Sequence, residues 1–141
     1  MQRSTFLLSL FIFLVGCGNN MTPPEGAWTV KTSKLIYTEQ EMIVYTVSSF
    51  TGDAIFIPTC NSYPMFCMDS LADGAWRTFV DRGTCPSDSY TTDYVEVTPA
   101  RPYVDSTYSH KRGISRLRIP YTKTWGAEIE GYLATNSFTV Y

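Results

Sequence analysis

Met65-Phe66-Cys67-Met68-Asp69-Ser70-Leu71-Ala72-Asp73-Gly74-Ala75-Trp76-Arg77-Thr78-Phe79-Val80 is the stretch on which the fold class turns. Two apolar and aromatic runs, Met65 to Leu71 and Trp76 to Val80, flank Ala72-Asp73-Gly74. Asp and Gly both tolerate positive φ, so Asp-Gly between strand-like runs predicts a tight hairpin. By alternation Trp76 shares a face with Thr78 and Val80, which makes it a core or half-core residue.

Outward from this hairpin the chain repeats one theme, short β-branched and aromatic runs between turn residues. Upstream, strands are expected at Trp28 to Thr32, Leu35 to Tyr37, Glu41 to Ser48 and Ala54 to Ile57. Glu41 to Ser48 carries apolar groups on both faces, which predicts a central strand buried on two sides. Thr51-Gly52-Asp53 is a turn, and Pro58 is expected to end the next ladder. Downstream, Arg82 to Thr92 reads as a loop, and strands follow at Tyr94 to Val97, Tyr103 to Tyr108, Ile114 to Ile119 and Ser137 to Tyr141. Pro120 to Thr135 has no readable pattern. No window shows the apolar repeat of a helix, and the 15% aromatic content suits half-buried sheet surfaces. This spacing is that of a sandwich or barrel.

The start of the chain speaks of address. Met1 to Thr5 holds one cation, Arg3, and Phe6 to Val15 is apolar except at Ser9, the layout of an export signal. A spanning helix needs roughly 20 apolar residues, more than this run supplies before the polar Gly18-Asn19-Asn20. Leu14-Val15-Gly16-Cys17 closely resembles the lipobox of bacterial lipoproteins, which implies diacylglycerol on Cys17 once residues 1–16 are removed. The alternative is an ordinary secretory signal that contains a cysteine. Residues 17–26, with Pro23-Pro24 in the stretch Asn19 to Gly26, read as the lipidated cysteine and a short tether. Residues 27–141 then make one domain. Loss of Arg3 leaves that protein one unit more negative than the −2 of the full sequence, with no footprint for nucleic acid and no basic patch for an anionic membrane. The expected membrane partner is therefore reached through the lipid. Gly18 rather than Asp after the cysteine favours the outer membrane under the sorting rule of enteric-type bacteria.

From Met42 onward the order of features resembles short bacterial envelope proteins with an immunoglobulin-like β-sandwich. The matching residues are Phe56-Ile57-Pro58-Thr59-Cys60, Asp73-Gly74-Ala75-Trp76, Gly83-Thr84-Cys85-Pro86, Gly113-Ile114-Ser115-Arg116-Leu117-Arg118 and Asn136-Ser137-Phe138-Thr139-Val140. Two positions depart from that pattern. Pro99-Ala100 replaces a Pro-Gly turn, and Ser115 stands where an aromatic anchor is usual. The resemblance implies an all-β immunoglobulin-like sandwich of about seven to nine short antiparallel strands.

Four cysteines are present, and with Cys17 assigned to lipid three remain in a compartment where disulfides form. Loop closure favours Cys60–Cys85 at about 3.5 kcal/mol over Cys60–Cys67 at about 2.4 kcal/mol, a gap too small to decide. Cys60 and Cys85 both stand beside turn residues, and the resemblance pairs them. Cys67, inside a strand-like run with no cation near it in sequence, reads as a small buried apolar side chain rather than a reactive thiol.

Candidate chemistry is sparse. The single histidine, His110, lies in the turn-like Ser109 to Gly113, and no Gly-x-Ser-x-Gly stretch or Cys-x-x-Cys spacing supports a triad or a zinc site. Asp69, Asp73, Asp81, Asp88, Asp93 and Asp105 match no calcium-loop spacing. No catalytic residue, metal or cofactor is expected. The candidate binding residues are those of loops at the sandwich end, Asn61, Tyr63, Arg82, Asp88 and Tyr90, with Trp125 as the indole best placed to stack on a sugar. The expected function is non-catalytic binding or structural work at the cell envelope, with an envelope protein or glycan as partner. Two alternatives stand beside it. Some immunoglobulin-like bacterial proteins block proteases with such loops, and an enzyme acting on envelope polymers would need converging acids.

Overall fold

The structure, a computed structural model, describes residues 27–85 and 91–141. It is an all-β sandwich. Twelve strands lie among the described residues: β1 (Trp28–Thr32), β2 (Ile36–Tyr37), β3 (Met42–Ser49), β4 (Ile55–Cys60), β5 (Tyr63–Pro64), β6 (Phe66–Ala72), β7 (Ala75–Arg82), β8 (Thr92–Val97), β9 (Tyr103–Tyr108), β10 (Gly113–Tyr121), β11 (Gly131–Ala134) and β12 (Phe138–Val140). They form a six-stranded sheet, β2-β12-β10-β6-β7 with β11 also on β10, and two three-stranded sheets, β1-β3-β9 and β5-β4-β8. This exceeds the expected strand number, and one pair, β2 with β12, is parallel.

The Asp73-Gly74 hairpin forms as predicted, with φ of 52° and 75° at its two central residues and Ala72 opposite Ala75. Around it β10 alternates cleanly. Ser115, Leu117 and Ile119 face inward, and Ile114, Arg116 and Arg118 face out. Leu117 and Ile119 meet Phe66, Met68, Ile43, Tyr45, Val47, Ile55, Ile57 and Val97 in one apolar core. Each such side chain removed from water contributes about 1.5–3 kcal/mol, and together they hold the layers shut.

Four local expectations are corrected. β3 is buried on one face only. Ile43, Tyr45 and Val47 are wholly buried, while Met42, Val44 and Thr46 lie on the outer face, and Met42 is exposed. With its neighbours β1 and β9 it forms a sheet whose second side has no covering layer among the described residues, so apolar residues on both faces do not imply a central position. Pro58 does not end β4, which runs on to Cys60 with Pro58 opposite Tyr94. Phe56 exchanges backbone hydrogen bonds with Thr122 on the side away from β8. By the period of two, the Pro58 nitrogen faces that same side, where β5 reaches only Thr59 and Cys60, so no ladder bond is lost. A bulge breaks the β6–β7 register between Met68 and Asp69, pairing Asp69 with Thr78 and Met68 with Val80. Val80 is thereby turned from the face of Trp76 and Thr78 towards the core. The supposed loop from Arg82 to Thr92 is shorter than expected, because Arg82 ends β7 and Thr92 begins β8.

The unreadable segment divides in two. Residues 122–130 form the loop between β10 and β11, closed by Glu130 N donating to Tyr121 O and resting on Phe56 and Tyr94 of the β5-β4-β8 sheet, and Gly131–Ala134 returns as β11 along the far half of β10, Arg118 to Tyr121.

Candidate functional site

The end of the sandwich where β4, β6, β7 and β8 stop is built around one covalent brace. Cys60 and Cys85 are disulfide-bonded, their Cα atoms 5.6 Å apart. Asn61 and Ser62, with φ of 48° and 66°, make the two-residue turn that folds β5 back on β4 and pairs Cys60 with Tyr63. The Asn61 side chain fixes this tip to the strand beyond, its Oδ1 accepting from Thr91 N at 2.9 Å. Tyr63 stands at the tip, 72% exposed. Beside it a cleft of about 350 Å³ is lined by Cys60, Tyr63, Pro64, Met65, Asp81, Arg82 and Thr84. The Arg82 guanidinium lies 5.8 Å from the centre of the Phe66 ring. Asn61, Tyr63 and Arg82 are thus gathered around the disulfide. Cys17, Asp88 and Tyr90 lie outside the described residues.

Trp125 belongs to the same sheet at its other end. Phe56, Pro58 and Cys60 alternate onto the outer face of β4, so the tryptophan's neighbour Phe56 is about 13 Å along the strand from the disulfide. The indole meets Phe56 edge-on, with ring centres 5.7 Å apart, and Tyr94 at 5.4 Å. Tyr94 is itself held by a hydrogen bond from its hydroxyl to Ala127 O at 3.2 Å. Next to Phe56 opens a second cleft, of about 550 Å³, lined by Trp28, Gly52, Asp53, Ala54, Phe56 and Lys123. Trp28 Nε1 donates to Asp53 O at 3.4 Å, and the Lys123 ammonium lies 5.7 Å from the Trp28 ring centre.

A third arrangement, on the outer face of the six-stranded sheet, escaped sequence reading. Asp69, 2% exposed, accepts hydrogen bonds from Arg116 Nε at 3.0 Å, Arg118 Nε at 2.8 Å, Arg118 Nη2 at 3.1 Å and Thr78 Oγ1 at 2.9 Å. Burial pushes its carboxyl upward, but the bonds from Arg118, Thr78 and Arg116 outweigh that and hold it below the ordinary carboxylate range. Arg116 lies over Trp76, 4.4 Å from the ring centre, and Arg118 over Tyr132 at 5.1 Å. Trp76 is half-buried, as expected, though its cover is a guanidinium on the outer face rather than the core. The lone acid in the otherwise apolar run Phe66-Cys67-Met68, with two arginines at a spacing of two on β10, was the signal available.

Cys67 is free and buried. Burial, then a hydrogen bond to Asp81 Oδ1 at 3.4 Å, pushes its thiol up to about 11 despite the nearby Arg118, so at neutral pH it is a protonated, unreactive group. His110 is exposed in the turn between β9 and β10. Among the described residues no three His, Cys, Asp or Glu side chains come together as a metal set, and no helix is long and apolar enough to cross a membrane.

No protein-family model matches this chain, and no curated protein matches it. Among solved structures the chain is similar to Spo0M, the sporulation control protein from Bacillus subtilis, at 10% identity and a TM-score of 0.41. The match covers 82% of this chain and 49% of the Spo0M chain, so this protein spans about half the length of that neighbour.

Proposed function

We propose that this protein is a lipid-anchored, non-catalytic module of the bacterial cell envelope, held at the outer membrane through Cys17, that binds an envelope partner through loops at one end of its sandwich. The observation that carries the binding half of this reading is Tyr63. A large aromatic side chain left 72% exposed at a hairpin tip, on a turn braced by the Cys60–Cys85 bond, offers contact area on a backbone that has already lost much of its conformational freedom. The lipobox-like Leu14 to Cys17 carries the anchoring half.

The test is a crosslinking pull-down from native membranes with the parent protein, a Cys17→Ala form and a Tyr63→Ala form. The reading expects Cys17→Ala to leave the membrane fraction and Tyr63→Ala to lose the captured partner. Identical fractionation of parent and Cys17→Ala overturns the anchor, and unchanged capture by Tyr63→Ala overturns the loop assignment. The same braced tip supports a second reading, a protease inhibitor that inserts residues 61–64. It predicts inhibition of a cysteine or serine protease that is lost on replacing those residues by Gly and Ser.

A further inference from the structure

We infer that the cleft between Trp28, Asp53, Phe56 and Lys123, together with the neighbouring Trp125, is a binding site for an uncharged pyranose oligosaccharide. The inference rests on reading the protein as a binding module and names a ligand class and a place for it. The volume of about 550 Å³ falls within the range of about 300–1,000 Å³ usual for small-ligand sites. Its chemistry is mixed in a particular way. Trp28 and Phe56 supply apolar wall, while Asp53 and Lys123 are both exposed and neither belongs to an ion pair among the described residues.

Each class of occupant meets this wall differently. A purely apolar ligand would cover the polar part of the wall that Asp53 and Lys123 contribute, including the Asp53 carbonyl oxygen on Trp28 Nε1 and the Lys123 ammonium beside the Trp28 ring, which is costly. An anion meets Asp53 and a cation meets Lys123. A pyranose ring has an apolar C–H face and a rim of hydroxyls that both donate and accept, so it suits the aromatic wall, Asp53 and Lys123 together. Trp125 adds the stacking surface. Its indole is 61% exposed yet packed against both Phe56 and Tyr94, with Tyr94 tied to Ala127. An exposed aromatic held in one orientation presents a flat face without further ordering cost on binding.

The test uses the purified full chain with Cys17→Ala and four probes: tetramers of N-acetylglucosamine, glucose in β-1,4 linkage, glucose in α-1,4 linkage, and mannose. Binding is followed by calorimetry and tryptophan fluorescence. At least one tetramer should bind with Kd near 1 mM or better, as suits an open cleft. Trp125→Ala and, separately, Lys123→Met should each weaken it about tenfold or more, with the melting temperature unchanged in Lys123→Met, whose side chain is exposed, and the far-ultraviolet circular dichroism of the folded sheet kept in Trp125→Ala. Tyr63→Ala should bind as the parent does. No binding by any tetramer at about 10 mM, or binding that survives both Trp125→Ala and Lys123→Met, overturns the site. A membrane partner whose capture needs Tyr63, found alongside no saccharide binding, removes this inference and leaves the binding-module reading standing. Loss of both removes both.

Discussion

Replacing Asp69 by asparagine strips the charge from the outer face of the six-stranded sheet while keeping the shape of the side chain. The parent carboxylate, 2% exposed, takes three hydrogen bonds from Arg116 and Arg118 and one from Thr78. D69N leaves two guanidinium groups facing each other across one neutral amide. Stranding a charge inside a protein costs about 3–5 kcal/mol. Here the two arginine side chains are 28% and 27% exposed and can swing towards water over Trp76 and Tyr132, so about 2–3 kcal/mol is expected. In a domain of this size that lowers Tm by about 10 °C at pH 7, which circular dichroism or calorimetry reads directly. The sign of the pH dependence follows from the lowered carboxyl pKa. The stabilisation from Asp69 is complete above the unfolded value of about 3.9 and drains away as pH falls through the lower folded value. The gap between parent and D69N therefore closes in acid. Replacing all three charges with apolar residues, Asp69→Leu with Arg116→Met and Arg118→Met, should recover most of the loss. A D69N melting point within about 2 °C of the parent at pH 7, or a gap that persists to strongly acidic pH, refutes the reasoning.

Two further outcomes follow from the cysteines. Cys60→Ser with Cys85→Ser frees a loop spanning a sequence separation of 25 and should cost about 3.5 kcal/mol in urea unfolding; reduction of the parent should give the same loss, and an unchanged midpoint would show that the bond does not constrain the chain. Cys67, with its thiol pushed up to about 11, should alkylate in a Cys17→Ser background at a rate that rises about tenfold per pH unit through pH 10. A plateau near pH 8 to 9 would mean that its surroundings leave it an ordinary thiol.

Elements that repeat a local pattern are legible in the sequence alone. β1 and β9 fall where alternation put them, and the Asp73-Gly74 turn needs only the φ tolerance of its own two residues. What escaped depends on partners far along the chain. β5 is two residues long and contains Pro64, so nothing local marks it as a strand. β11 pairs only with the far half of β10, and its four residues carry no alternation of their own. The two-sided burial expected of β3 failed because the sequence of a strand states its polarity but not how many layers surround its sheet. Around the candidate site, Tyr63 and Arg82 were read from their setting in loops, but the meeting of Trp28, the Asp53–Phe56 stretch and Lys123 joins three segments that no spacing rule connects. The arginine pair on Asp69 was hidden for the same reason, since β6 and β10 lie more than forty residues apart.

The parallel pairing of β2 with β12 has a kinetic meaning. Thr139 stands opposite Ile36 and Val140 opposite Tyr37, and nearby Asn136 exchanges hydrogen bonds with Thr32 across a separation of 104 residues. Contacts of such span close nearly the whole domain into a ring, so they gain little until the strands between have already assembled. The seam is the clasp of the sandwich. It adds to how long the folded state lasts far more than to how quickly it forms, and for a molecule with an exposed aromatic surface, slow opening is what keeps that surface from meeting its own core.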